Sequence, residues 1–327
     1  MHVLINGWYF GSDTAGSGQY LHHLLLHLLR SALDARFTLL LPTDKAHDDS
    51  FVMFADVLPP NLTIELASTN IDSVRSKIRL PQSVIKLWWE QVTVPQAARQ
   101  HNADLVWVPY WAASYWQPRP TVVTVHDLIP SLLPAYRGGW LNRIYTSLVS
   151  ASARRAAAVL TVSQASARDI VTHLSIPGER VYAIHNGPNQ MGQARKDAAY
   201  LAEVCQKYGL PERFFLYLGG FDVRKNVRTM LLAYQRYLAL GGSPEVKFVI
   251  AGKMPEADSA FAPDPKKIAA ELGLMEQVHF CGWVEDVEKP AIYALSLGYI
   301  FPSVYEGFGM MVLEAMSAGT PVVTSSK

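Results

Sequence analysis

Residues 299–324 read YIFPSVYEGFGMMVLEAMSAGTPVVT. The stretch opens on a short apolar run ending at Pro302, as suits a buried parallel strand. The turn Glu306-Gly307-Phe308-Gly309 follows, with two glycines where backbone must approach something closely or take positive φ. Helical spacing predicts a helix from Met310 to Ala318, stopped by Gly319. Pro321-Val322-Val323 then starts another strand. Strand, glycine turn, helix start and strand make half of a nucleotide-binding unit. Such a turn aims backbone N–H groups and the positive helix end at an anion, usually phosphate. Two carboxylates frame it, Glu306 in the turn and Glu314 in the helix, with seven residues between them. A carboxylate at Glu314 is unsuited to phosphate and suited to accepting hydrogen bonds from sugar hydroxyls. A glycine turn alone could be an ordinary strand–helix connection; the whole string is what sets this one apart.

The string resembles the C-terminal signature of retaining GT-B glycosyltransferases of the large family four. That signature is Glu-x(7)-Glu within Pro-Ser-x-x-Glu-Gly-Phe-Gly, here Pro302-Ser303-Val304-Tyr305-Glu306-Gly307-Phe308-Gly309 through Glu314-Ala315-Met316. Family members usually carry leucine and proline after the second glycine; this chain has Met310 and Met311, a change that is conservative in volume. The resemblance implies Glu306 on the donor sugar, Glu314 on the nucleotide ribose, and Gly307, Phe308 and Gly309 at the bound nucleotide-sugar. It also implies an α/β fold of the GT-B kind: two Rossmann-like, doubly wound parallel-sheet domains facing each other across a cleft.

The rest of the chain agrees with that expectation. Its 327 residues, half of them hydrophobic, suit about two domains of ordinary size. A net charge of +1 gives no reason to expect nucleic acid as a partner. Cys205 and Cys281 stand far apart and fit no metal spacing, which points to a reducing compartment. Met1 leads straight into an apolar strand without a basic leader, and no apolar run approaches the roughly 20 residues of a membrane span. The expected location is therefore cytoplasmic.

In the N-terminal half, His2 to Asn6 reads as a strand, Gly7 to Gly18 as a glycine loop, and Gln19 to Arg30 as a helix with leucines at helical spacing. Gly16-Ser17-Gly18 lacks the third glycine of a dinucleotide fingerprint. In the resembling family this loop approaches the donor phosphates or the acceptor, which makes Gly16 and Gly18 candidates. His22, His23 and His27 have no carboxylate or cysteine set beside them and read as packing or solvent histidines. Residues 73–99 interleave Arg75, Lys77, Arg79 and Lys86 with Ile78, Leu80, Val84, Ile85, Leu87, Trp88 and Trp89, interrupted by Pro81 and Pro95. Such a segment suits a core helix with a solvated face; a basic helix carrying tryptophans also suits an anionic membrane surface.

Strands are expected at 37–41, 63–67, 103–108, 121–125, 159–163 and 181–184, with a long helix at 136–157 and Ser163 capping the next one. His126-Asp127-Leu128-Ile129-Pro130 falls at the carboxyl end of its strand, where open α/β sheets bind ligands. A histidine there can donate to a sugar hydroxyl or leaving oxygen, and the sequence is close to the family's acceptor-side wall, so His126 is a catalytic candidate. Tyr110, Trp111, Tyr115 and Trp116 precede it; such rings suit sugar faces or merely plug the site.

In the C-terminal half a helix is expected at 195–208 and strands at 214–218, 246–251 and 278–281. The strand 214–218 ends in Gly219-Gly220-Phe221-Asp222-Val223-Arg224-Lys225-Asn226. Two cations between a strand end and a helix start are placed for a diphosphate. The family carries Arg-Lys-Asn at this point, so Arg224 and Lys225 inherit that role. Some relatives have a further arginine where this chain has Gly220, which puts the phosphate load on Arg224. The loop Gly282-Trp283-Val284 corresponds to one that lies along the nucleotide base, making Trp283 and Val284 candidates, and a helix is expected from Asp286.

The domain boundary is expected near Gln190, after Asn186-Gly187, giving an acceptor-side domain 1–190 and a nucleotide-sugar domain 191–327. The second domain reads as incomplete, since family members continue past Pro-Val-Val-Thr-Ser with another strand and helices. The expected activity is transfer of a sugar from a GDP- or UDP-linked donor to a glycan or lipid-linked acceptor, with retention of configuration and without a metal or other cofactor. No Asp-x-Asp metal motif is present. The alternatives are a nucleotide-sugar 2-epimerase of the same architecture and an inactive carbohydrate- or nucleotide-binding fragment.

Overall fold

The computed structural model describes residues 1–12, 16–32, 34–43, 59–68, 81–188 and 197–326. The chain divides into two compact units, Met1–His185 and Asn186–Lys327. The expected boundary at Gln190 lies outside the described residues.

The first unit holds a parallel sheet in the order β3-β2-β1-β4-β5-β6-β7. Its strands are β1 (His2–Asn6), β2 (Arg36–Pro42), β3 (Leu62–Ala67), β4 (Leu105–Val108), β5 (Thr121–Thr124), β6 (Ala158–Thr161) and β7 (Val181–Ala183). The period-2 alternation of strand side chains sorts the apolar residues into two cores. Val3 and Ile5 of β1 join Phe37, Leu39 and Leu41 of β2 on one face. There they meet Leu21, Leu25 and Leu29, four residues apart on the helix Gly16–Ser31. Leu4 and Leu40 point to the other face and meet Trp89, Ala97 and Ala98.

The second unit repeats the plan with the order β10-β9-β8-β11-β12. These are β8 (Phe214–Leu218), β9 (Lys247–Ala251), β10 (Val278–Gly282), β11 (Gly298–Phe301) and β12 (Val322–Thr324). Phe214, Leu216 and Leu218 enter one core and Tyr217 the other. Every strand pair in both sheets is parallel. Each sheet therefore reverses its strand order once, between β1 and β4 and between β8 and β11, and these reversal points are where doubly wound sheets bind nucleotides.

Several expected boundaries shift. The first helix begins at Gly16, so Gly16 and Gly18 lie in its first turn rather than in the loop before it. A Cβ on Gly18 would sit 2.3 Å from the Ser12 oxygen and 2.7 Å from the Tyr9 oxygen. The glycine lets the helix start press against the preceding loop. Residues 82–100 form an unbroken helical run, α-helix Gln82–Trp88, a π-turn Trp89–Thr93, and α-helix Val94–Gln100. Pro95 does not end it; the proline stands just after the π-turn, one of the irregularities that accompany a break in the helical hydrogen-bond ladder. Arg75, Lys77 and Arg79 lie outside the described residues. The long helix expected from 136 starts at Trp140, after short turns at Ile129–Leu132 and Pro134–Tyr136. The helix expected from Asp286 starts at Lys289. Ser163 caps its helix as expected, its Oγ accepting from the Ser166 N–H at 3.0 Å.

Candidate active site

In the second unit, the loops after β8 and β11 meet at the reversal point. The β8 loop tightens into a 3-10 turn, Val223–Lys225, and turns into the helix Val227–Ala239 through Asn226, which takes a left-handed φ of 55°. Its backbone is tied to the β11 loop by Val304 N–H donating to Arg224 O at 2.9 Å, and by Asn226 Nδ2 donating to Pro302 O at 3.3 Å. The side chains follow. Lys225 Nζ lies 2.7 Å from Glu306 Oε1, and Arg224 Nη1 pairs with Glu306 Oε2. Arg224 also reaches Tyr305 O at 3.1 Å and Asp222 Oδ1 at 3.4 Å. Lys225 is buried, and its ammonium sits 5.0 Å from the centroid of the Phe301 ring. The sequence assigned the cations to a diphosphate and Glu306 to a sugar. The structure brings both cations onto the Glu306 carboxylate.

Gly309 takes φ 91° and precedes the helix Met310–Ser317, which no side chain caps at its N-terminus. The positive φ is the conformation a glycine is needed for. Gly307 is buried and Phe308 half-buried in the turn before it. Glu314 is buried, with Tyr293 Oη donating to its Oε2 at 3.3 Å. Burial first, and then the Glu314 charge, push the Tyr293 hydroxyl far above its usual range, so it remains a donor. Tyr293, on the helix Lys289–Leu295, was not a sequence candidate, and neither was Asp222. No motif marks Tyr293; Asp222 could have been found from its place beside the two cations. Val284 is 2% exposed and belongs to the core, so its side chain is closed to a ligand and only the loop backbone is left to meet one. Trp283 is exposed, with Lys289 Nζ 5.8 Å from its ring centroid.

In the first unit, His126 follows β5 and its Nε2 lies 3.2 Å from Pro109 O. A carbonyl only accepts, so Nε2 carries the hydrogen and Nδ1 is the acceptor of the neutral ring. Burial holds the imidazole below its usual pKa, against the pull of that carbonyl. Tyr20 meets the ring edge-on at 4.7 Å. Asp127 Oδ1 accepts from Ile129 N–H at 2.9 Å. Tyr110 is buried near His126's end of the sheet, hydrogen-bonded to Asn6. Tyr115 and Trp116 stand elsewhere, exposed beside Arg155 and Arg99 near the starts of β6 and β4. Among the described residues, no group of three or more His, Cys, Asp or Glu could hold a metal ion, and no helix is long and apolar enough to cross a membrane.

The model of Glycosyltransferase Family 4 matches residues 14–189, more than half of the chain. The chain belongs to glycosyltransferase family 4. The model of Glycosyl transferases group 1 matches residues 205–327, the unit carrying Lys225 and Glu306. O-antigen chain mannosyltransferase B of Escherichia coli is 31% identical over 207 residues, 63% of this chain and 52% of the relative. Serotype-specific mannosyltransferase WbdA, also of Escherichia coli, is 30% identical over 219 residues, 64% of this chain and 26% of the relative. The chain thus spans about half or less of the length of these relatives. The crystal structure of Anabaena Alr3699/HepE in complex with UDP superposes with a TM-score of 0.66 at 20% identity, covering 100% of this chain and 81% of that one. That likeness carries the fold: this family 4 chain has the GT-B architecture of two parallel-sheet α/β domains.

Proposed function

We propose that this family 4 chain transfers a sugar, mannose in the first instance, from a nucleoside diphospho-sugar to a glycan or lipid-linked acceptor, with retention of configuration and without a metal. The observation that carries the proposal is the convergence of Arg224, Lys225 and Glu306 at the reversal point of the second sheet. Two cations share one carboxylate there, so a diphosphate arriving beside them finds charge-assisted donors already held in place. The mannosyltransferase relatives favour transfer over epimerisation, and the family, with the UDP in the structural neighbour, supports a GDP- or UDP-linked donor.

The reaction breaks the bond between the anomeric carbon and the diphosphate oxygen, whose electron pair goes to the leaving diphosphate. Arg224 and Lys225 offset the charge that develops on it. The acceptor hydroxyl adds to the same face of the anomeric carbon and gives its proton to the departing phosphate oxygen. Glu306, released in part from its cations, accepts from the donor sugar hydroxyls. Glu314 is assigned to the ribose, and Gly307, Phe308, Gly309 and the Gly282–Val284 backbone to the nucleotide. Gly16 and Gly18 shape the acceptor-side loop. His126 Nδ1 is an acceptor for a sugar hydroxyl rather than the donor anticipated from sequence. The cytoplasm is the proposed location, with membrane contact where the acceptor is lipid-linked; Val84 and Trp88 expose apolar side chains on the helix Gln82–Trp88.

Incubation with GDP-mannose or UDP-glucose, a mannose-terminated acceptor and a chelator tests this reading. Expected is an α-linked product from an α-linked donor, formed at the same rate with chelator. Absence of transfer from either donor, an inverted linkage, or loss of turnover with chelator would each overturn the corresponding part.

A further inference from the structure

The reversal point of the first sheet also carries a charged cluster, which the reaction above does not use. Lys86 Nζ lies 2.9 Å from Glu90 Oε1 and 2.8 Å from the Tyr145 hydroxyl, which in turn lies 2.9 and 3.0 Å from the two Glu90 oxygens. The ammonium also stands 5.0–5.5 Å from the ring centroids of Tyr9, Tyr110 and Tyr145. Glu90 is 1% exposed and sits in the π-turn Trp89–Thr93. Such turns are rare and concentrate at functional sites. Glu90 also borders a small cavity, and its carboxylate is held by Lys86 and Tyr145.

From this node a chain of contacts leads to the first loop of the sheet. The Tyr110 ring faces the Lys86 ammonium, and its hydroxyl accepts from Asn6 Nδ2 at 2.9 Å. Asn6 Oδ1 accepts from Trp89 Nε1 at 2.8 Å and from the Trp8 N–H at 3.1 Å. Tyr9 packs edge-on against Tyr110 at 4.8 Å, and Trp8 against Trp89 at 5.9 Å. On its other side the same turn lies under the helix start, where Gly18 admits the Tyr9 and Ser12 carbonyls. The turn after β1 is thus clamped between a buried ion pair and a helix, at the strand end where doubly wound sheets meet their ligands.

We propose that Lys86 and Glu90 are positioning residues that fix the Trp8–Tyr9 turn and thereby set the affinity of this unit for its sugar acceptor. A buried pair of this kind contributes little net stability against an apolar replacement. What it supplies is direction: the ion pair and the hydroxyls of Tyr145 and Tyr110 admit one arrangement of the turn, whereas apolar side chains of similar size admit several. The acceptor part of the inference rests on the transferase reading above.

The test uses the full chain in four forms: parent, Tyr145→Phe, the double variant Lys86→Met/Glu90→Gln, and Lys86→Arg. Tyr145→Phe removes a single hydroxyl and guards against loss of folding. Amide exchange is followed at Trp8 and Tyr9, and KM for donor and acceptor are measured separately. Expected are exchange at Trp8 at least about tenfold faster in the double variant and a several-fold rise in acceptor KM. Donor KM and kcat should hold within about twofold, and Lys86→Arg should return acceptor KM to the parent value. Unchanged exchange at Trp8 overturns the clamp. A parallel rise of both KM values with falling kcat overturns the positioning role in favour of a merely structural one. If no form transfers sugar, the transferase reading fails, and the exchange arm alone decides whether the pair holds the turn.

Discussion

Lys225 and Glu306, 81 residues apart in the chain, meet at 2.7 Å across the reversal point of the second sheet. The contact is mostly shielded from water, with the Lys225 side chain 8% exposed and that of Glu306 21%. Arg224 shares the same carboxylate. Neither cation is therefore a freely waving surface charge, and each is held where its charge acts at short range.

The first prediction concerns these cations. Lys225→Ala should weaken nucleoside diphosphate binding by about 1.5–3 kcal/mol, the range for hydrogen bonds to charged groups. The corresponding nucleoside should bind nearly as before. Calorimetry with both ligands decides the matter: equal losses would remove Lys225 from the phosphate site.

The two glutamates should separate kinetically. Glu306→Gln, which keeps the shape and removes the charge shared by Arg224 and Lys225, should lower kcat with little change in nucleotide affinity. Glu314→Gln should instead weaken nucleotide binding. Turnover at the parent rate in both variants would sink the assignment.

Gly16 and Gly18, two residues apart, should respond oppositely to alanine. A Cβ at Gly18 collides with the Ser12 and Tyr9 backbone oxygens, which cannot swing aside as a side chain could. Gly18→Ala should cost about 1–3 kcal/mol, as for overpacking. Gly16→Ala meets nothing within 4 Å among the described residues and should stay within about 0.5 kcal/mol of the parent. Urea unfolding of both variants is the measurement, and equal midpoints would refute the packing role of Gly18.

His126 gives a pH dependence whose sign follows from its burial. Its folded pKa lies below the ordinary 6.5, so between those two values the unfolded chain binds more protons than the folded one. Stability is then constant above about pH 6.5 and falls as the pH drops below it, by up to about 1.4 kcal/mol per pH unit for each such group. His2 is shifted the same way, by burial and then by Arg36, and adds a term of the same sign. His126→Gln should flatten the fall in stability below pH 6.5. An unchanged slope would mean that His126 is as easily protonated folded as unfolded.

Much of this arrangement was legible in the sequence, for reasons that differ by element. The strands of both sheets stood out because their buried apolar runs sit between polar turns, as with Phe214–Leu218 and His2–Asn6. The turn 306–309 stood out because glycines mark a backbone requirement directly. In sequence Gly16 and Gly18 read as loop, since a glycine needed for a close helix–loop approach looks the same as one needed for a bend. Pro95 reads as a break because the π-turn before it leaves no trace in the spacing of apolar residues. The meeting of Arg224, Lys225 and Glu306 was beyond reach: spacing along a chain does not report contacts across a sheet reversal, and each residue taken alone had a plausible separate partner. Tyr293 was hidden for the same reason.

The backbone bond from Val304 N–H to Arg224 O makes the ends of β8 and β11 a single mechanical piece. A load applied at either loop is shared by the other without any side chain having to relay it. On the proposed reading, donor binding at the phosphate end should therefore tighten the segment that carries Glu306 at once. A bare nucleoside diphosphate, with no sugar attached, should already slow hydrogen exchange at the Val304 amide.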